Sequence, residues 1–227
     1  MLARAVTHAL VGLDARRVEV EAHLDNGIPG FAIVGLADRA CQEAKHRVRS
    51  GIASAELEWP VRRRITVNLA PAELRKEGSG FDLPIALSIL AASGQIPRER
   101  LDDHAAVGEL GLDGSLRPVG GVIALAEAAR RAGLPRMLCA ARSCAEAALA
   151  EIEPVPVRHL SEAAAYLRGE RDPEPWVESN GHPEEKPTLD LADLRGQERA
   201  RRRGRGSSLR RAGTAPGTRL CLRPARC

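Results

Sequence analysis

The stretch Arg75-Lys76-Glu77-Gly78-Ser79-Gly80-Phe81-Asp82 gathers an amine, a hydroxyl and two carboxylates around a Gly-Ser-Gly turn. Two chemistries fit those residue types. A serine hydroxyl becomes a nucleophile when a base within hydrogen-bond reach takes its proton. A glycine-rich turn that opens a helix presents backbone N–H groups and can cradle an anion. The same turn also serves as simple punctuation between a strand and a helix. Arg75, Lys76, Glu77, Gly78, Ser79, Gly80 and Asp82 therefore form the candidate functional loop, with no catalytic, cofactor-binding or metal-ligating residue assigned by the sequence.

Other chemistry is poorly represented. A P-loop needs Gly-x-x-x-x-Gly-Lys-Ser/Thr to hold phosphates. The three lysines are Lys45, followed by His46; Lys76, followed by Glu77; and Lys186, followed by Pro187, so none fits. The five cysteines, Cys41, Cys139, Cys144, Cys221 and Cys227, form no Cys-x-x-Cys pair and read as reduced structural thiols rather than a zinc site. Arg62-Arg63-Arg64 could meet phosphates, but as the lead-in to a strand without interleaved aromatics it reads as a solvated edge.

The elements that must position the loop follow from periodicity. Val18, Val20, Ala22 and Leu24 alternate with polar residues, which predicts a strand with one wet face, closed by the turn Asp25-Asn26-Gly27. Phe31 to Val34 reads as a more buried strand. An amphipathic helix is expected from Ala37 to Ala55, with Ala40, Ala44, Val48 and Ile52 inward and Glu43, Lys45, Arg47 and Arg49 in solvent. Ile65, Val67 and Leu69 form a strand leading into the loop from Ala72 to Gly80. The next helix starts near Asp82, a good N-cap, with Pro84 acceptable in its first turn.

A hairpin is predicted from Val107 to Val119 around Asp113-Gly114, then a helix from Gly120-Gly121 to Gly133 and a strand from Leu134 to Ala140. Shorter elements follow through Leu149, Val155 to Val157, and Leu160 to Leu167. This mixture predicts one α/β (α+β) domain over residues 1–168. Residues 169–188, with four prolines and six acids, read as a linker.

The net charge of +4 is unevenly placed. Residues 1–200 carry 25 Lys+Arg against 30 Asp+Glu, whereas residues 201–227 carry nine Arg and no acid. The folded part therefore offers no overall charge argument for nucleic-acid binding. Aromatics make up only 2% of the chain, so the core must be built from Ala, Val, Leu and Ile. No apolar run is long enough for a membrane span, and the first residues, from Met1 to Val11, run into a strand-like pattern instead of a signal peptide, so a cytoplasmic protein is expected.

Three segments, in order and well spaced, carry a family resemblance: Gly30 to Asp38; Asn68 to Pro84; and Gly108-Glu109-Leu110 with Gly114 to Gly121. Together they resemble the ComM/YifB family of magnesium chelatase-like AAA+ ATPases, over residues 1 to about 200. The resemblance implies an amino-terminal Lon-protease-like (ChlI-type) domain with the fold of ribosomal protein S5 domain 2. Lon-type peptidases pair a serine nucleophile with a lysine base. Aligned on Lys76-Glu77-Gly78, the nucleophile position falls on Gly80, with Ser79 one place early. Aligned on Gly120-Gly121, the lysine position falls on Leu125. A divergent peptidase would need Ser79 with another base, such as Lys76 or His104. His104, among Asp102, Asp103 and Ala105, reads as an exposed loop residue.

The resemblance further implies that longer members bind ATP and magnesium, assemble as homo-oligomeric rings and act on DNA by branch migration in natural transformation. The expectation for this chain is a non-catalytic fragment without a cofactor, membrane contact or small-molecule substrate. Residues 189–201 resemble the lead-in to the ATPase module, and residues 202–227 read as out-of-frame translation of it, lacking acids and hydrophobic period. An equilibrium titration with ATP is accordingly expected to give no binding above background, and saturable binding at micromolar concentration would refute this.

Overall fold

The computed structural model describes residues 1–176, all within one compact unit. The sequence readings for most of the linker, for residues 189–201 and for the arginine-rich tail lie outside the described residues. The chain begins with a long hairpin, β1 (Leu2–Val11) and β2 (Asp14–Asn26), followed by β3 (Gly30–Val34), α1 (Arg39–Ser54), β4 (Arg63–Ala70) and α2 (Asp82–Ala92). Then come β5 (His104–Ala106), β6 (Glu109–Leu110), β7 (Leu116–Arg117), α3 (Val122–Arg131), β8 (Arg136–Ala140), α4 (Cys144–Ala148), β9 (Glu153–Val157) and α5 (Leu160–Arg168).

Seven strands form one mixed sheet in the order β3-β4-β2-β1-β5-β8-β9, and β6 pairs with β7 in a separate ribbon. The β1–β2 and β2–β4 pairs are antiparallel, while β3–β4, β1–β5, β5–β8 and β8–β9 are parallel. This is the mixed α/β fold that the element order implies.

Side chains opposite each other across a ladder share a face, and the register therefore sorts the core. Ala5, Val20 and Leu69 align across three strands, as do Ala3, Ala22 and Val67, and these residues face α1 and α2. On the other face, Val6 packs with Ala105, Val122, Leu125 and Ala126 beneath α3. Over β2 and β4 that second face carries Glu19, Glu21, His23, Thr66 and Asn68 instead. The alternation read at Val18 to Leu24 is the result: one face dry, one wet.

Helix α2 is buried at every position, which explains why its sequence is apolar all round instead of striped. Helix α1 is striped, burying Cys41, Ala44, Val48 and Ile52. The expected inward position of Ala40 is only half-buried.

Four readings need correction. Phe31 to Val34 is not a more buried strand: β3 is the edge strand of the sheet, and only Ile33 of it is buried. The first eleven residues do not merely lead into a strand: Leu2–Val11 is itself the centre of the sheet, paired with β2 along its whole length. His104 is not an exposed loop residue. It is 2% exposed in β5, its Nδ1 2.7 Å from the Arg100 carbonyl and its Nε2 2.9 Å from the Tyr166 hydroxyl. The Val107 to Val119 hairpin is smaller than expected, with pairing confined to Glu109–Leu110 and Leu116–Arg117.

At the far edge, β9 reads Glu153-Pro154-Val155-Pro156-Val157, and the Glu153 N–H donates to the Pro135 carbonyl at 3.1 Å. No helix among the described residues is long and apolar enough to cross a membrane.

Candidate functional site

The loop between β4 and α2 is held by two acids. Asp38, just before α1, accepts the Cys41 N–H at 2.8 Å as an N-cap and, with its other oxygen, the Gly78 N–H at 3.1 Å. The Cys41 thiol donates to the Gly78 carbonyl at 3.3 Å. Burial, reinforced by Asp38, pushes that thiol up to about 12, so it stays protonated. Lys76 adds a backbone clasp: its N–H donates to the Leu36 carbonyl at 3.2 Å, and its carbonyl accepts from the Asp38 N–H at 3.0 Å.

The second acid is Asp82, expected as the N-cap of α2. It does not cap: the N-cap position is Phe81, with no side-chain hydrogen bond. The Asp82 side chain is fully buried and turns to Arg47, taking Nε at 2.6 Å and Nη2 at 3.0 Å in a bidentate pair. It also accepts the Leu110 N–H at 3.1 Å. Arg47 therefore leaves the solvated face assigned to it on α1; its side chain is 20% exposed and also reaches the Ala40 carbonyl at 3.0 Å. Burial moves the Asp82 carboxyl above its ordinary range, against the opposing pull of Arg47 and the Leu110 N–H. The hydrogen bond to Asp82 raises the guanidinium in turn.

The positioned loop forms one wall of a cleft of about 640 Å³, lined by Glu77, Gly78, Ser79 and Gly80. His8 and Leu10 of β1, and Val119 and Leu125 near the start of α3, complete it. That volume lies in the range of small-ligand sites. Gly80 and Leu125, onto which the sequence resemblance places the peptidase serine and lysine, both line this cleft, one without a side chain and the other with an aliphatic one.

The other loop residues point elsewhere. The Ser79 hydroxyl donates to Glu109, which lies 3.6 Å from Arg117. The Lys76 ammonium is fully buried on the Pro71 carbonyl, and burial lowers its pKa. Arg75 sits at the surface in an ion pair with Glu77 at 2.8 Å. Neither base considered for Ser79 bonds to it, since Lys76 holds Pro71 and His104 holds Arg100 and Tyr166.

His8 escaped the sequence reading. It is 5% exposed, forms part of the cleft wall, and neither ring nitrogen has a hydrogen-bond partner among the described residues. A lone histidine in a strand gives no sequence signal. Only the pairing of β1 with β2 and the packing of α3 bury it.

Comparison with known proteins adds the family. The profile described as subunit ChlI of Mg-chelatase matches residues 20–143. The chain belongs to the ComM/YifB family of these Mg-chelatase-like proteins. It is 41% identical over 203 residues to YifB of Salmonella typhimurium, covering 88% of this chain and 39% of that protein. The competence protein ComM of Haemophilus influenzae is 41% identical over 206 residues, covering 88% and 40% respectively. YifB of Escherichia coli is 38% identical over 205 residues, or 86% and 38%. The chain thus spans about two fifths of the length of these ComM/YifB relatives.

Two outcomes follow from the geometry. Asp82→Ala should lower stability in urea unfolding by about 3–5 kcal/mol, because it leaves Arg47 without its buried partner. The pair Arg47→Met with Asp82→Leu should recover most of that loss; a double variant no better than the single would refute the ion-pair account.

The second outcome concerns pH. His8 titrates at 6.5 when unperturbed and only at about 4 in the fold, through burial first and then Arg17 and Arg131. Asp14 faces the ring's surroundings from β2, and Asp38 and Glu77 from the cleft. Between those two values the unfolded chain takes up a proton that the folded chain refuses. Stability should therefore fall as pH drops from 6.5 towards 4, by about 3 kcal/mol from this group. In denaturation curves across that range, His8→Phe should flatten the slope; equal slopes would contradict the assignment.

Proposed function

We propose that this chain is a non-catalytic domain of a ComM/YifB magnesium chelatase-like AAA+ ATPase, serving ring assembly and the engagement of DNA. The observation that carries the reading is the cleft in which Gly80 and Leu125 stand where the related peptidases place serine and lysine. The cleft remains, but neither position carries a group that could activate or deliver a nucleophile. A function of shape and surface suits such a domain better than hydrolysis. The full-length family's ATP-dependent DNA branch migration supplies the context, and the name of the relative from Haemophilus influenzae, a competence protein, accords with it. ATP and magnesium belong to the ATPase module of that reading, and the chain acts in the cytoplasm.

The test is binding of a single-stranded oligonucleotide by residues 1–176 and by the whole chain, each titrated against salt. Salt-dependent binding by residues 1–176 is expected, because phosphate contacts release counterions. Binding seen only with the whole chain would move the activity to the arginine-rich tail and overturn the reading for this domain.

A second reading, a divergent Lon-like serine peptidase, draws on the Ser79 hydroxyl in the cleft and its bond to Glu109. Covalent labelling of Ser79 by a serine-directed fluorophosphonate would favour it.

A further inference from the structure

The arginine run at the start of β4 divides between the two faces of the sheet. Arg64 lies opposite Asp25 in the β2–β4 ladder and pairs with it at 3.1 Å. Arg63 turns to the other face. It is two positions before Ile65, and Phe31 of β3 stands opposite Ile65, so Arg63, Ile65 and Phe31 share the side on which α1 packs. There the loop between α1 and β4 brings in Trp59, whose ring centroid lies 5.3 Å from that of Phe31 at an interplanar angle of 55°. From α1 comes Arg49, with its guanidinium carbon 6.0 Å from the Trp59 centroid. The arginine run contains no aromatic of its own, but the fold sets two beside it.

Phe31, Trp59, Arg49 and Arg63 line a pocket of about 140 Å³ at the β3 edge of the sheet. That is well below the size of a site for a drug-sized ligand and suits a single flat ring. Both aromatics rest on the main core and are half-buried, so part of each ring stays open to solvent. The pocket wall includes no acid among the described residues. Arg63 donates to the Asn26 side-chain carbonyl, a neutral group, and Arg49 is exposed, at the outer limit of cation–π attraction to Trp59. Neither meets a carboxylate among the described residues. Two positive charges are therefore left for an outside anion, each on a planar fork that fits phosphate oxygens.

The aromatic platform is also held in place. Gln95, beyond α2, accepts the Glu58 N–H at 2.8 Å and donates to the Glu58 carbonyl at 2.8 Å, and the Arg63 N–H donates to the Pro60 carbonyl at 3.1 Å. The loop is thus pinned on both sides of Trp59. Glu58 is the acid nearest to it in the chain, and it is not part of the pocket wall.

We propose that this pocket is a subsite for single-stranded nucleic acid, in which Trp59 stacks against a base and Arg49 and Arg63 hold the adjoining phosphates. Stacking on an aromatic face accepts any base, and arginines beside it follow the backbone, so a strand is gripped without its sequence being read. The subsite rests on the DNA-engaging reading of the domain and gives that reading a place on the surface. It shares no wall residue with the cleft of Glu77 to Gly80.

The experiment uses the whole chain carrying Trp176→Phe, which leaves Trp59 as its one indole. Oligothymidylate is added while Trp59 emission reports the pocket and the anisotropy of a labelled oligonucleotide reports total binding. Saturable quenching of Trp59, weakened by salt, is expected. Arg49→Ser with Arg63→Ser should weaken the quenching titration by about tenfold or more, and an abasic oligonucleotide of the same length should leave Trp59 unquenched. Binding seen by anisotropy without a Trp59 response overturns the subsite and leaves the domain reading in place. An arginine double variant of intact circular dichroism that quenches like its parent does the same. Absence of binding by residues 1–176, the test of the domain reading, removes both. Equal quenching by polyglutamate at matched charge assigns the pocket to an acidic peptide and overturns the nucleic-acid assignment.

Discussion

Asp82, at the start of α2, is buried without any exposed side-chain surface, and two other parts of the chain meet on its oxygens: the guanidinium of Arg47 from α1 and the backbone N–H of Leu110 in β6. A carboxylate taken out of water needs its hydrogen-bonding capacity filled, and partial filling is strongly destabilising. That requirement fixes how α1 crosses α2 and where the β6–β7 ribbon docks. It therefore also fixes the loop ending at Phe81. The clasp of Asp38 and Lys76 sets the other end of that loop, so the wall formed by Glu77 to Gly80 is held at both ends.

This arrangement separates the shape of the cleft from its chemistry. Gly80 does not have a left-handed backbone, and a Cβ added there would meet Val107 at 3.4 Å, close but not against backbone. The position could carry a side chain with a small adjustment of its neighbours, so the fold does not require glycine there. Gly35 is the contrast. Its φ is +102°, and a Cβ there would lie 2.3 Å from the Leu69 carbonyl oxygen, so this glycine is required by the packing of β3 beside β4.

Much of the fold was legible because burial imposes period on sequence. The strand over Val18 to Leu24, the striped helix α1 and the apolar helix α2 each follow from which faces are dry. β1 was harder, since its second face is dry beneath α3 as well, and Val6, Thr7 and His8 are buried in succession without alternation. The roles of Asp82 and Arg47 were misread for a physical reason: an acid at a helix start and an arginine on a polar face are each consistent with solvent. Only the crossing of α1 and α2 brings them together. The loop from Glu77 to Gly80 was found from its residue types, whereas His8 depends entirely on tertiary neighbours.

In a parallel strand, successive residues direct their backbone groups alternately to the two neighbours. In β9 the Glu153 N–H points inward to β8, so positions 154 and 156 would offer theirs outward, and both are prolines. The outer margin of β9 has no amide hydrogen there to give. A strand from another molecule would find no N–H there to pair with, so composition alone blunts this side of the sheet. If copies of this domain meet around a ring, their sheets remain discrete at that margin, and neighbouring copies must recognise each other through side chains.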